Sequence, residues 1–188
     1  KTEKGTVWLS GTKTSPYAFY QFWLNVADLD VYRYLKYFTF LTINEINEIR
    51  QGDSESKAKP EGQRILAEEV TELLHGKDGL IAAQRISEGL FSNDISKLTN
   101  EDLAQLELDG LPCTEIEGGS KGIVEALVIT ELAKSNKMAR EFVGNNAVSV
   151  NGLGVDSVDF ELNQSSALNG KYFVLKRGKK LFHLVKLV

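Results

Sequence analysis

Apolar residues in the first 110 positions recur at helical spacing, broken by residues that start or stop helices. Ser15 before Pro16 reads as a helix cap with proline in the first turn, and PYAFYQFWLNV behind it is dense in aromatics. Asp28 and Asp30 place acids at the positive end of a second helix, VYRYLKYFTF. Thr42 and Glu45 have the spacing of a capping box for a third, INEIN. The polar, turn-rich stretch 51–62 (QGDSESKAKPEG) predicts a mobile loop. Pro60 then opens QRILAEEVTELLHG, whose apolar stripe is Ile65, Val70, Leu73 and Leu74, and Gly76 ends it. KDGLIAAQRISEGLF predicts another helix, and Thr99 with Asp102 opens a short one. Residues 1–14 read as a short extended lead in which Val7, Trp8 and Leu9 can pack.

From residue 110 the pattern changes. GLPCTEIEGGSKG has one Pro, four Gly and no periodicity, and predicts a linker over 111–121. GIVEALVITELA then reads as an apolar helix, and Ser135 caps a second, NKMAREFV, closed by Gly144. AVSVNG alternates as a strand and turns at Asn151-Gly152. KYFVLKRGKKLFHLVKLV reads as two strands around a turn at Gly178. The expected fold class is α+β in two domains: an all-α helical domain over 15–110 and a small α+β domain over 122–188.

Composition narrows the setting. The length of 188 residues fits one large domain or two small ones. No apolar run approaches the ~18 residues of a membrane span, and no apolar stretch follows the opening Lys-Thr-Glu-Lys, so neither a membrane nor a secretory route is expected. Cys113 has no cysteine to pair with, and with two His no metal site is expected; a reducing cytoplasm is the natural setting. Lys1 stands where a natural start would be Met, which predicts a longer parent chain.

Charge changes the picture more. The net charge of −4 argues against nucleic acid, but its distribution does not. Residues 1–111 carry 12 Lys/Arg against 18 Asp/Glu, and residues 112–188 carry 10 against 8. After Glu161 there is no acid, while Lys171, Lys176, Arg177, Lys179, Lys180 and Lys186 remain. A basic end on an acidic body points toward a polyanion.

The motifs in that end are S-x-x-x-A-R (Ser135, Ala139, Arg140), A-V-x-V-N-G (147–152) and V-L-K-R-G-K-K (174–180). Together they resemble the S4-type RNA-binding module, which implies a basic face for structured RNA. Lys134, Lys137 and Arg140 fall within about two helical turns, and Lys176, Arg177, Lys179 and Lys180 surround a hairpin turn. Such clusters meet phosphates and 2′-hydroxyls with little base reading. Lysines on a hairpin can also simply keep an edge strand soluble. Ala139 reads as core, and Asn151-Gly152 as turn chemistry.

The N-terminal stretch KTEKGTVWLSGTKTSPYAFYQFWLNVADLDVYRYLKYFTF is similar to the segment after the lysine signature loop of bacterial tyrosyl-tRNA synthetases, and LAEEVTELLHG and AAQRISEGLFS continue the resemblance. The loop reads K-F-G-K-T in that family, so Lys1-Thr2 match its last two residues. The resemblance implies a helical anticodon-binding domain followed by an S4-like domain, in the C-terminal part of an enzyme that joins tyrosine to its tRNA with ATP and magnesium. It implies tyrosine tRNA as partner, a homodimer held through a catalytic domain preceding Lys1, and no DNA. Lys1 matches the loop lysine that stabilises the ATP phosphates, but without the nucleotide pocket this stretch alone is expected to be inactive and to bind no cofactor.

Asp28 matches, in N-x-A-D-x-D, the family's acid that contacts the first anticodon base. An acid repels phosphate, so base reading would give it a reason to be there: a carboxylate can accept both donors of the guanine Watson–Crick edge. From the residues alone the preferred reading is a helix cap, and it is the resemblance that favours the base reader; Asp30 reads as a cap or a solvent-facing acid. Tyr17, Phe19, Tyr20, Phe22, Trp23, Tyr32, Tyr34, Tyr37 and Phe38 could stack on bases but read mostly as core. His75 in LLHG reads as a C-terminal cap and His183 as a half-buried sheet residue. Two other classes remain open: a different S4-containing RNA protein, rRNA-modifying or ribosome-associated, and a helical protein–protein adaptor.

Overall fold

The computed structural model describes residues 6–56, 60–118 and 120–188. The chain forms two compact units, Lys1–Gln84 and Arg85–Val188.

The first unit is helical. Helix α1 (Pro16–Leu24) starts as its sequence predicts: Ser15 Oγ accepts the Ala18 N–H, and Pro16 occupies the first turn. Helix α2 (Asp28–Phe38) has Ala27 at its N-cap and no side-chain cap bond, so Asp28 is the first helical residue and does not cap. Helix α3 (Ile43–Glu55) carries both bonds of the Thr42–Glu45 capping box. It runs on through Gln51–Glu55, where the polar composition predicted a loop. Asp53 explains the difference: on the last turn of α3 it accepts the Tyr32 hydroxyl at 2.7 Å and the Glu61 and Gly62 N–H groups at 2.7 and 3.0 Å. Tertiary bonds thus hold a turn that composition alone would leave loose.

Helix α4 (Gly62–Ser92) breaks at Gly76, whose φ of 72° and ψ of 175° are open to glycine, so the predicted two helices abut there. The core of the unit is Phe19, Val31, Leu35, Ile46, Leu66 and Val70. Removing a large aliphatic side chain of this kind from water stabilises by about 1.5–3 kcal/mol.

One sequence expectation changes here. His75 does not cap: its ring packs edge-on to Phe19 at 5.0 Å, and its buried Nε2 has no hydrogen-bond partner among the described residues. Burial lowers its pKa. The aromatics read mostly as core divide as follows: Tyr17, Phe19 and Tyr20 are buried, and Trp23, Tyr32 and Tyr34 pack half-buried against the core. Phe22, Tyr37 and Phe38 are exposed, with Phe22 edge-on to Trp23, Phe38 against Trp23 and Tyr34, and Tyr37 edge-on to Phe38.

The second unit combines helices with sheet. After α4 come a short 3-10 turn (Ile95–Lys97), helix α5 (Asn100–Gln105) under a Thr99–Asp102 capping box, and a wide turn (Leu106–Gly110). The segment that reads as aperiodic contains strand β1 (Cys113–Ile116) and strand β2 (Ser120–Gly122). Helices α6 (Ile123–Ile129) and α7 (Asn136–Gly144) follow, with Ser135 capping α7 as predicted. Strands β3 (Val148–Val150), β4 (Leu153–Gly154), β5 (Glu161–Asn163), β6 (Tyr172–Arg177) and β7 (Leu181–Leu187) complete the unit. The main sheet has the order β1-β7-β6-β3-β4, and β2 pairs with β5 separately. Among the described strands only β1 lies parallel to its neighbour, with Cys113 opposite Leu184 and Ile116 opposite Leu187. The apolar faces of α6 and α7 bury Ile123, Ala126, Leu127, Ala139 and Val143 against Val148, Val150, Phe173, Leu175 and Val185. The molecule is therefore a helical region followed by a small α+β domain, the fold class expected.

Candidate nucleic-acid interface

The β6–β7 hairpin turns at Gly178, with φ at 61°, and carries the four predicted cations in two different states. Lys176 and Arg177 are half-buried, while Lys179 and Lys180 are exposed. Lys176 Nζ donates to Asn93 Oδ1 at 2.5 Å and lies over the Phe182 ring. Arg177 donates from Nη1 to the Leu132 carbonyl at 2.7 Å, and its guanidinium stacks 4.9 Å from the Phe142 ring centroid. Leu132 ends the turn after α6, and Phe142 belongs to α7. Arg177 thus ties the hairpin to the α6–α7 connection, which carries Lys134 and leads into Lys137 and Arg140. Those three are exposed and in no ion pair among the described residues. Lys134, Lys137, Arg140, Lys179 and Lys180 therefore stand unneutralised on adjoining elements.

Lys186 behaves differently. Its ammonium sits between Glu107 Oε1 and Glu115 Oε1, each at 2.7 Å, and those carboxylates raise its pKa. The Tyr172 hydroxyl donates to Glu107 as well. One of the six cations after Glu161 thus belongs to an internal network with no local signature, because its partners lie 71 and 79 positions away. Arg85 and Asp102 were missed similarly; they join over 17 positions, and nothing in their local spacing pairs them.

In the helical unit Asp28 is exposed at the start of α2, and Gln63 Nε2 donates to its Oδ1 at 2.5 Å. Val31, Tyr32, Arg50, Asp53, Ser54, Pro60 and Gln63 line a pocket beside it of about 200 Å³. The Arg50 guanidinium lies 5.6 Å from the Tyr32 ring centroid. Burial, then the bond to Asp53, pushes the Tyr32 hydroxyl up to about 12. Burial alone would raise Asp53, but the Glu61 and Gly62 N–H groups and Tyr32 outweigh it and lower its pKa. Asp30 is taken by Arg33 at 2.7 Å. Lys1 lies outside the described residues. Among the described residues no group of His, Cys, Asp and Glu could hold a metal ion, and no helix is long and apolar enough to cross a membrane. His183 is buried, bonded through Nε2 to Thr114 Oγ1 at 2.8 Å, with its pKa lowered by burial.

The first unit thus carries an exposed acid at a pocket, and the second carries exposed cations on the α6–α7 connection, on α7 and at the hairpin turn. Residues 1–92 match the family model for class I tRNA synthetases (W and Y), and residues 102–185 match that of the tyrosine–tRNA ligase SYY-like C-terminal domain. The tyrosine–tRNA ligase of Aliivibrio fischeri (strain MJ11) is 60% identical over 184 residues, covering 98% of this chain and 43% of that protein. That of Chromobacterium violaceum is 55% identical over 185 residues, covering 98% and 44%. A solution structure of a tyrosyl-tRNA synthetase C-terminal domain is 35% identical, covering 52% of this chain and 98% of that one, with a TM-score of 0.43. The chain belongs to the tyrosine–tRNA ligase family and corresponds to its C-terminal region. It spans less than half the length of these curated relatives.

Proposed function

We propose that this chain is the tRNA-binding portion of a tyrosine–tRNA ligase, the enzyme that attaches tyrosine to its tRNA using ATP and magnesium. Residues 15–110 serve as the anticodon-binding domain and residues 122–188 as the S4-like domain that grips the tRNA body. The carrying observation is the set of unneutralised cations, Lys134, Lys137, Arg140, Lys179 and Lys180, on elements tied together by Arg177. Phosphate contacts by such a set release counterions and so weaken steeply with salt. Asp28 reads the first anticodon base by accepting its two Watson–Crick donors. That reading is favoured by its exposure, and by the absence of the cap bond that would otherwise occupy it. The parent works as a homodimer in the cytoplasm, joined through the catalytic domain, with Lys1 at the end of its ATP-phosphate loop and without DNA as partner.

The test is a salt titration of this chain against three RNAs: tyrosine tRNA, another tRNA and a ribosomal RNA fragment. Tightest binding to tyrosine tRNA with a steep salt slope is expected. Preference for the ribosomal fragment would overturn tyrosine tRNA as the partner, and no binding to any of the three would overturn the RNA-binding role of the cations.

A further inference from the structure

We infer that Gln63 is a positioning residue for base discrimination: its amide fixes the Asp28 carboxylate in the orientation that reads the anticodon base. This rests on the assignment of Asp28 as the base reader. The argument starts from backbone contact. Gly62, the first residue of α4, lies so close to α2 that a Cβ there would stand 2.9 Å from Val31 Cγ1 and 3.4 Å from Tyr32 Cε1. Glycine lets α4 begin against α2, and Asp53 locks the approach by accepting from the Glu61 and Gly62 N–H groups and the Tyr32 hydroxyl together. Gln63 is the next residue, and this placement brings its Nε2 to 2.5 Å from Asp28 Oδ1.

Asp28 needs such a partner. It is exposed, makes no cap bond and sits in no ion pair among the described residues, so its side chain has nothing else to choose its rotamer. A carboxylate offers about four lone-pair sites. One bond from Gln63 to Oδ1 fixes the plane of the group and leaves acceptor sites on both oxygens for two parallel donors. A neutral amide does this without cancelling the charge, as a lysine or arginine partner would. Discrimination between bases depends on geometry, because the wrong base must leave a polar group unpaired. An unheld carboxylate can rotate to soften that penalty.

The experiment measures binding of this chain to tyrosine tRNA transcripts carrying guanine or adenine at the first anticodon position. The variants are Gln63→Leu, Gln63→Glu, Asp28→Asn and the double Asp28→Asn/Gln63→Leu, with a thermal melt of each. Gln63→Leu is expected to cut the preference for guanine about fivefold, and Gln63→Glu by at least as much, because a second carboxylate repels the first. Melting temperatures should change little. In the double variant Gln63→Leu should have no further effect, since the group it positions is gone. A merely structural role would lower melting temperature and weaken both transcripts equally, and that result overturns the inference. If Asp28→Asn abolishes the preference while both Gln63 variants keep it, the inference fails and the Asp28 assignment stands. If Asp28→Asn keeps the preference, that assignment itself fails, and the inference with it.

Discussion

Arg85 grips Asp102 with two hydrogen bonds, Nε to Oδ2 at 2.6 Å and Nη2 to Oδ1 at 2.7 Å, and Asp102 is fully buried. The same carboxylate accepts the Thr99 N–H at 2.9 Å, so one side chain both caps α5 and anchors it to the end of α4. The fork of a guanidinium matches a carboxylate better than an ammonium does. Removing the cation leaves a buried charge without its partner, which is where ion pairs matter most. Arg85→Leu is expected to destabilise the second unit by about 3 kcal/mol. Urea denaturation followed by circular dichroism measures this, and a loss of only a few tenths would show that water replaces the guanidinium.

Gly152 faces the chain at Asn93. A Cβ at Gly152 would fall 1.9 Å from the Asn93 carbonyl oxygen, and the backbone there has φ at 85°. Collision and left-handed strain act together, and the collision is with backbone, which cannot rotate away. Gly152→Ala should cost about 2 kcal/mol or more. Gly170→Ala, where φ is also positive but nothing lies within 4 Å, is the control and should lose about half as much or less. Equal melting temperatures for the two variants would mean the 92–95 segment moves aside.

The Glu107–Lys186–Tyr172 network predicts a pH dependence. The bonds from Lys186 and then Tyr172 lower the Glu107 pKa below its ordinary value of 4.5. A carboxylate depressed in the folded state contributes stability that is present above its unfolded pKa and is lost as pH falls through the folded one. The wild-type melting temperature should therefore drop as pH falls below about 4.5, and Glu107→Gln should be less stable at neutral pH with a flatter profile in the acid range. Parallel wild-type and Glu107→Gln profiles over that range would remove Glu107 from the account.

The hairpin cations should separate by role. Replacing Lys179 and Lys180 together by alanine is expected to flatten the salt dependence of tRNA binding by about two units of slope at most, with the melting temperature unchanged. Arg177→Ala should lower the melting temperature as well, because the guanidinium holds Leu132 and Phe142. A binding titration at several salt concentrations beside a thermal melt reads both. An unchanged slope for the double variant would mean the turn faces away from RNA.

Local patterning determined much of this chain. The caps at Ser15, Thr42, Thr99 and Ser135, the break at Gly76 and the turns at Asn151-Gly152 and Gly178 all stand where the sequence puts them, since each depends on bonds or φ angles within a few residues. The uneven charge and the basic motifs likewise mark the candidate face within the sequence itself. Only the tertiary structure decided the rest. Strand β1 exists because β7 offers it a parallel partner, and its own residues carry no alternation. The last turn of α3 persists because Asp53 is bonded from α2 and α4. Tertiary contacts also sorted the cations: Lys186 is consumed by Glu107 and Glu115, Arg177 is built into the fold, and Lys179 and Lys180 are left outside. Charge is a property of composition, but whether a charge is free depends on partners that lie tens of positions away, and folding alone brings those together.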